Sequence, residues 1–68
     1  MEILSGKQMY ENDLLIDNEF YFIKNDKYSE WNIARYESHL EAFRVIWGTI
    51  YEFYTIEFVV KDYIIKPL

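Results

Sequence analysis

His39 is the only histidine in this chain, and there is no cysteine. These two counts remove most of the chemistry available to a short protein. A metal site built on a histidine pair or on thiolates has no ligands to use. Ser5, Ser29 and Ser38 are the only serines, and none stands in the Gly-x-Ser-x-Gly turn that presents a nucleophile. No triad can therefore be assembled around His39 with convincing parts. Ser5-Gly6-Lys7 contains a Gly-Lys pair but lacks the earlier glycine and the strand of a phosphate loop. Asn25-Asp26-Lys27-Tyr28-Ser29-Glu30 lacks the ligand cadence of a calcium loop. Twelve acidic residues in 68 bring some carboxylates together by chance, so pairing alone does not argue for acid–base catalysis. So short a chain is also expected to wall no substrate pocket of the usual few hundred Å³. The expectation is a protein that is not an enzyme, with no cofactor and no metal.

What the chain has in surplus is aromatic area. Seven Tyr, five Phe and two Trp make fourteen rings. A core of this size uses about eight or nine of them, judged from the area each buries. Tyr10, Tyr28, Tyr51 and Tyr63 adjoin charged or turn residues and are expected at the surface, with Trp31 covering one end of a sheet. Tyr and Trp serve well as interface anchors because they combine rigid area with a polar tip. Capping the open ends of a small core is the competing use.

The net charge of −5 makes phosphate backbones an unfavourable partner over most of the surface. The acids are scattered from Glu2 to Asp62, the pattern of a solvated surface. An acidic face that meets a basic partner is the alternative. Glu2, Lys7 and Glu11 interrupt any apolar run near the start, so no signal peptide is expected. The longest uncharged run, Val45 to Tyr51, is far shorter than the ~20 residues of a membrane span. With no cysteine, a cytoplasmic setting is expected.

Residues 1–68 read as one small domain. Glu19-Phe20-Tyr21-Phe22-Ile23-Lys24 is a strand, Lys24-Asn25-Asp26-Lys27 a turn, and Glu30 to Glu37 an alternating second strand. Together they make a hairpin over residues 19–37. The stretch 38–47 has two readings. In one, a loop at 37–41 leads to a strand Ala42–Trp47, ended by Gly48-Thr49. In the other, Ser38 and Glu41 form a capping box for a helix that stops at Gly48. The strand is preferred because Phe43, Val45, Ile46 and Trp47 favour strands and so short a helix is marginal alone. Ile50 to Val60 carries strand formers in both alternating sets, as expected of a strand that is buried on both sides or bends partway. Lys61-Asp62 then turns into a final strand, Tyr63 to Lys66, stopped by Pro67. Met1 to Leu4 is a candidate edge strand, and Leu14-Leu15-Ile16 a plug for one end of the sheet. The fold class is mainly β, a small antiparallel meander curled into an SH3-like barrel. The alternative is α+β, an antiparallel sheet with one short helix at about 38–47.

At Trp31-Asn32-Ile33-Ala34-Arg35-Tyr36, preceded by Phe20-Tyr21-Phe22-Ile23-Lys24 and followed by Phe43-Arg44-Val45-Ile46, the chain resembles short uncharacterised proteins encoded by bacteriophages and prophages. About half the chain carries the resemblance. It implies a setting in a host cytoplasm and a partner among host factors, sometimes met by presenting carboxylates where DNA phosphates would sit.

Three functions follow as expectations. The first is a non-enzymatic acidic protein-binding module, an inhibitor of a host nucleic-acid-handling or defence complex. In it Asp26, Glu30, Glu37 and Glu41 meet a basic surface on the host protein, while Tyr28 and Trp31 anchor the contact. The second is a self-associating module, a homodimer that hides Tyr51 and Tyr63. The third, with the charge balance against it, is a single-stranded nucleic-acid binder using exposed rings with Lys24, Lys27, Arg35 and Arg44.

Overall fold

Alternating apolar residues over 20–37 produce the element that organises the molecule. In the computed structural model, which describes residues 3–27 and 30–68, strands β2 (Phe20–Asn25) and β3 (Asn32–Glu37) pair antiparallel, with Phe20 opposite Arg35 and Phe22 opposite Ile33. Around this hairpin lie β1 (Leu4–Ser5), α1 (Gly6–Glu11), β4 (Ala42–Trp47), β5 (Ile50–Thr55), α2 (Ile56–Asp62) and β6 (Tyr63–Pro67). The described residues form one six-stranded antiparallel sheet in the order β1-β6-β2-β3-β4-β5. The hairpin is where the sequence placed it, and the final strand runs one residue beyond Lys66, with Pro67 opposite Tyr21. The edge strand expected over Met1 to Leu4 is Leu4–Ser5, sharing only Leu4 with that stretch, and Met1 and Glu2 lie outside the described residues.

The chain from β2 to β5 is a meander. Between β3 and β4, Ser38–Leu40 makes only a single 3₁₀ turn, and Glu41 then reverses the chain in the left-handed region at φ 49°. Residues 38–47 are thus not a helix. Phe43 and Val45 are fully buried two positions apart, a strand period that a helix would break. Between β4 and β5 the hairpin loop is Gly48-Thr49, with Trp47 opposite Ile50. Gly48 takes φ 62° at the first central position, a conformation that glycine reaches without steric cost.

The sheet does not close into an SH3-like barrel: β1 and β5 remain its two edges. Curling is unnecessary because helices cover one face instead. The segment expected as a strand to Val60 changes structure at Thr55. The Thr55 hydroxyl accepts a hydrogen bond from the Phe58 N–H at 3.3 Å, and Glu57 and Lys61 occupy the helix turns whose dipole suits their charges. The helix α2 therefore replaces both the strand end and the turn expected at Lys61-Asp62. Helix α1 starts with a complete capping box. The Ser5 hydroxyl accepts from the Gln8 N–H, and the Gln8 side chain accepts from the Ser5 N–H, each at 3.0 Å.

The core lies between this helical layer and the sheet. Tyr21, Ile23, Ala34, Tyr36, Phe43, Val45 and Ile65 come from the sheet, and Met9, Ile56 and Val59 from the helices. Phe43 is its centre, with Tyr36 and Tyr21 ring centroids at 5.3 and 6.4 Å. A second ring cluster, Tyr54, Phe58 and Tyr63, fastens α2 to β5 and to the start of β6. Leu15 packs against the core, as a plug would, whereas Leu14 and Ile16 stay exposed.

The helices meet at Gly6. A Cβ there would lie 2.7 Å from the Val59 carbonyl oxygen, inside any real contact, and that oxygen belongs to backbone that cannot step aside. Gly6→Ala is expected to destabilise the fold by about 1–3 kcal/mol, as overpacking does, against the small gain in helix propensity. Urea unfolding measures this. An unchanged or raised midpoint would show that the helices separate easily.

Candidate functional site

Residues opposite one another in an antiparallel pair point to the same side of the sheet, so the register fixes what lies on the side away from the helices. Phe22 stands opposite Ile33 and Lys66, and Arg35 opposite Phe20 and Arg44. Arg44 stands opposite Phe53, and Ile46 opposite Tyr51. None of the described elements packs over this side. Phe20, Ile33, Ile46, Tyr51 and Phe53 are accordingly exposed, Tyr51 at 52% and Phe53 at 45%.

Charge is sorted between the two sides as well. Lys24, Arg35, Arg44 and Lys66, four of the seven basic residues, sit at outward strand positions. Among the described residues Glu37 is the only carboxylate on these outward positions. Three of these cations lie against rings. The Arg44 guanidinium carbon is 4.6 Å from the Tyr51 ring centroid and 5.2 Å from that of Phe53. The Lys66 ammonium is 4.2 Å from Trp31 and 5.3 Å from Phe22, and that of Lys24 is 5.9 Å from Trp31. Tyr51 and Phe53 meet edge to face at 5.5 Å. Such contacts hold long cationic chains along the sheet surface.

Glu37 organises the arginines. Its side chain is only 4% exposed and is ion-paired with both Arg35 and Arg44. Arg44 binds it through both Nε and Nη2, one nitrogen to each carboxylate oxygen, and Arg35 Nη2 reaches Oε2 at 3.2 Å. His39 Nε2 lies 3.8 Å from Oε1. The hydrogen bond from Arg44 is the main cause of a carboxyl pKa below its ordinary value; burial opposes it, and Arg35 adds to the lowering. Nearby, the Asp17 carboxylate accepts from the Ser38 N–H at 2.8 Å, which lowers its pKa in the same way.

The residues expected to meet a basic partner do not converge. Asp26 and Glu30 are exposed at the β2–β3 turn, where the Asp26 N–H is tied to the Asp62 carbonyl at 2.8 Å. Glu41 is exposed at the other end of β3, roughly 20 Å away by the length of a six-residue strand. Glu37 is buried in its ion pairs and acts as an internal counterion. Trp31 is half-buried beneath Lys66, and Tyr28 lies outside the described residues. Of the basic residues named from the sequence, Lys24, Arg35 and Arg44 share the open side, and Lys27 is in the turn. Lys66, Phe22 and Phe53 were missed. Their period-two placement was visible, but not which of two apolar sets faces inward.

On the helical side an open cleft of about 480 Å³ is lined by Met9, Leu14, Ile16 and Leu68, with Asn18 and Glu19 at its polar part. A pocket of the usual ligand size does exist, contrary to the expectation from length. Its lining brings one carboxylate, Glu19, and one phenol, Tyr21, whose oxygen accepts a hydrogen bond from the Ile16 N–H at 2.9 Å. Among the described residues no three of His, Asp and Glu gather as a metal site, and no helix is long and apolar enough to cross a membrane. No protein-family model, curated protein or solved structure matches the chain.

Because the folded pKa of Glu37 is depressed, its contribution to stability is present above the ordinary carboxylate value of 4.5 and is lost as the pH falls through the folded value. Thermal unfolding followed from neutral pH downward should show a Tm that begins to drop near that value. Glu37→Gln should lower the Tm at neutral pH, by leaving two arginines without their counterion, and should flatten that acid limb. An acid limb unchanged in the variant would assign it to other carboxylates, Asp17 first.

Proposed function

We propose that this protein is a non-enzymatic binding module whose open sheet face docks an anionic partner. The observation that carries the reading is the combination on that face of uncovered rings with four cations and a single carboxylate, in a chain whose net charge is −5. A solvated face has no need of five large apolar side chains, and such patches on small proteins mark interaction sites. The resemblance to phage-encoded proteins adds a setting, a host cytoplasm, in which the module would occupy part of a nucleic-acid-handling or defence complex.

A second reading keeps the partner basic and places the contact at Asp26 and Glu30. It is supported by the other side of the same charge sorting: ten of the eleven described acids hold no outward strand position.

The two readings separate on ion-exchange surfaces. At low salt the wild-type protein should be retained on an immobilised sulfated polysaccharide despite its net negative charge. The double variant Arg44→Gln/Lys66→Gln should flow through with its fold intact by circular dichroism. Flow-through of the wild type, with retention on a polycation that is lost in Asp26→Lys/Glu30→Lys, would move the docking surface to the acidic turn.

A further inference from the structure

We infer that the occupant of the open sheet face is a single-stranded nucleic acid, with unpaired bases stacked on Tyr51 and Phe53 and phosphates met by Arg44, Arg35 and Lys66. The inference rests on the docking reading above and names its partner.

The side chains that stand out on this face are mostly planar. Tyr51 and Phe53 form one platform on β5, with Arg44 against both rings. Phe22 and Trp31 are half-buried, each with the Lys66 ammonium over its ring. Three strand spacings separate β2 from β5, about 14 Å, so an open ring pair at one end and cation-covered rings at the other line a path across the sheet. Rings alternating with cations are what a single strand requires: every base offers a π-face, and every linkage a phosphate. A duplex fits poorly, because its bases are already stacked and paired. An acidic peptide would satisfy the cations but leave the rings without matching planes. A second copy docked face to face would set the cations of one sheet against those of the other.

The charge of the whole molecule limits the electrostatic share of binding. Three cations meeting three phosphates give a slope of about −2 in log affinity against log salt, at about 0.7 per single-strand phosphate. Stacking must supply the rest. This form of binding is shallow in salt and steep in ring substitutions.

Fluorescence anisotropy with labelled oligothymidylate and oligouridylate tests it, alongside a duplex of the same length and a polyglutamate peptide. Saturable binding to the single strands is expected, with little to the duplex. Tyr51→Ala and Phe53→Ala should each weaken it about fivefold to a hundredfold without loss of the sheet by circular dichroism. Lys66→Gln should reduce the salt slope by about 0.7. No saturable binding to either oligonucleotide overturns the inference, as does equal binding by the ring variants or by the duplex. Retention on the sulfated matrix without oligonucleotide binding leaves the docking face standing and removes the nucleic acid. Tighter binding of polyglutamate would make the partner an acidic protein.

Discussion

Two helices of six and seven residues cover one side of a six-stranded sheet, and the described residues supply no third layer. Everything else in the molecule answers to that constraint. The covered side takes Phe43, Val45, Ile23, Ile65 and Val59 out of water completely, and at roughly 25 cal/mol per Å² this is the principal stabilising term. The helices are too short to persist alone. They hold because each is capped at its start and because Gly6 lets them approach to backbone contact. A chain of this size buries only about 60% of its unfolded surface, and here part of the unburied share, Phe20, Ile33, Ile46, Tyr51 and Phe53, lies together on one face.

That face cannot be left as bare hydrocarbon, and the ion cluster around Glu37 is how the fold manages it. A carboxylate at the end of a strand would ordinarily point at water. Here the register sets Arg35 beside Arg44 on the neighbouring strand, and both reach back to one carboxylate. The Arg44 chain then lies across Tyr51 and Phe53, and both arginine charges are held in position by the carboxylate. Pre-positioned guanidinium groups lose less entropy when a ligand arrives. One arrangement thus keeps the face hydrated and holds it ready for a partner.

The sheet was legible from the sequence wherever a clean period of two met a turn. Phe20 to Glu37 had both, as did Tyr63 to Lys66 and the Gly48-Thr49 loop. The helices were not. Phe58, Val59 and Val60 favour strands, and only the cap at Thr55 with Glu57 and Lys61 in their turns argued otherwise; the burial of Ile56 and Val59 against α1 then overrides propensity. The Ser5–Gln8 capping box was equally present, in a segment weighed only as a phosphate loop. The barrel failed for a related reason, since the helices remove the need to curl. For the site, surplus rings were visible as a quantity, and exposure of Tyr10 and Tyr51 followed. The side each residue takes was not visible, because both alternating sets in β2 and β5 are apolar and only pairing with β3, β4 and β6 breaks the tie. Glu37 shows the same limit: its partners are two and seven residues away in sequence, and only the register makes them neighbours.

The strand order has a consequence for how the chain assembles. Residues 63–67 fill an inner slot, flanked by β1 on one side and β2 on the other, although about forty residues separate them from β2 in the chain. Until they arrive, the backbone groups along one margin of the meander have no hydrogen-bonding complement, and the two-residue β1 has nothing to pair with. Such distant closure is slow relative to hairpin formation. A nascent molecule therefore spends its early life as an unfinished ribbon, open to any extended segment that reaches the gap first.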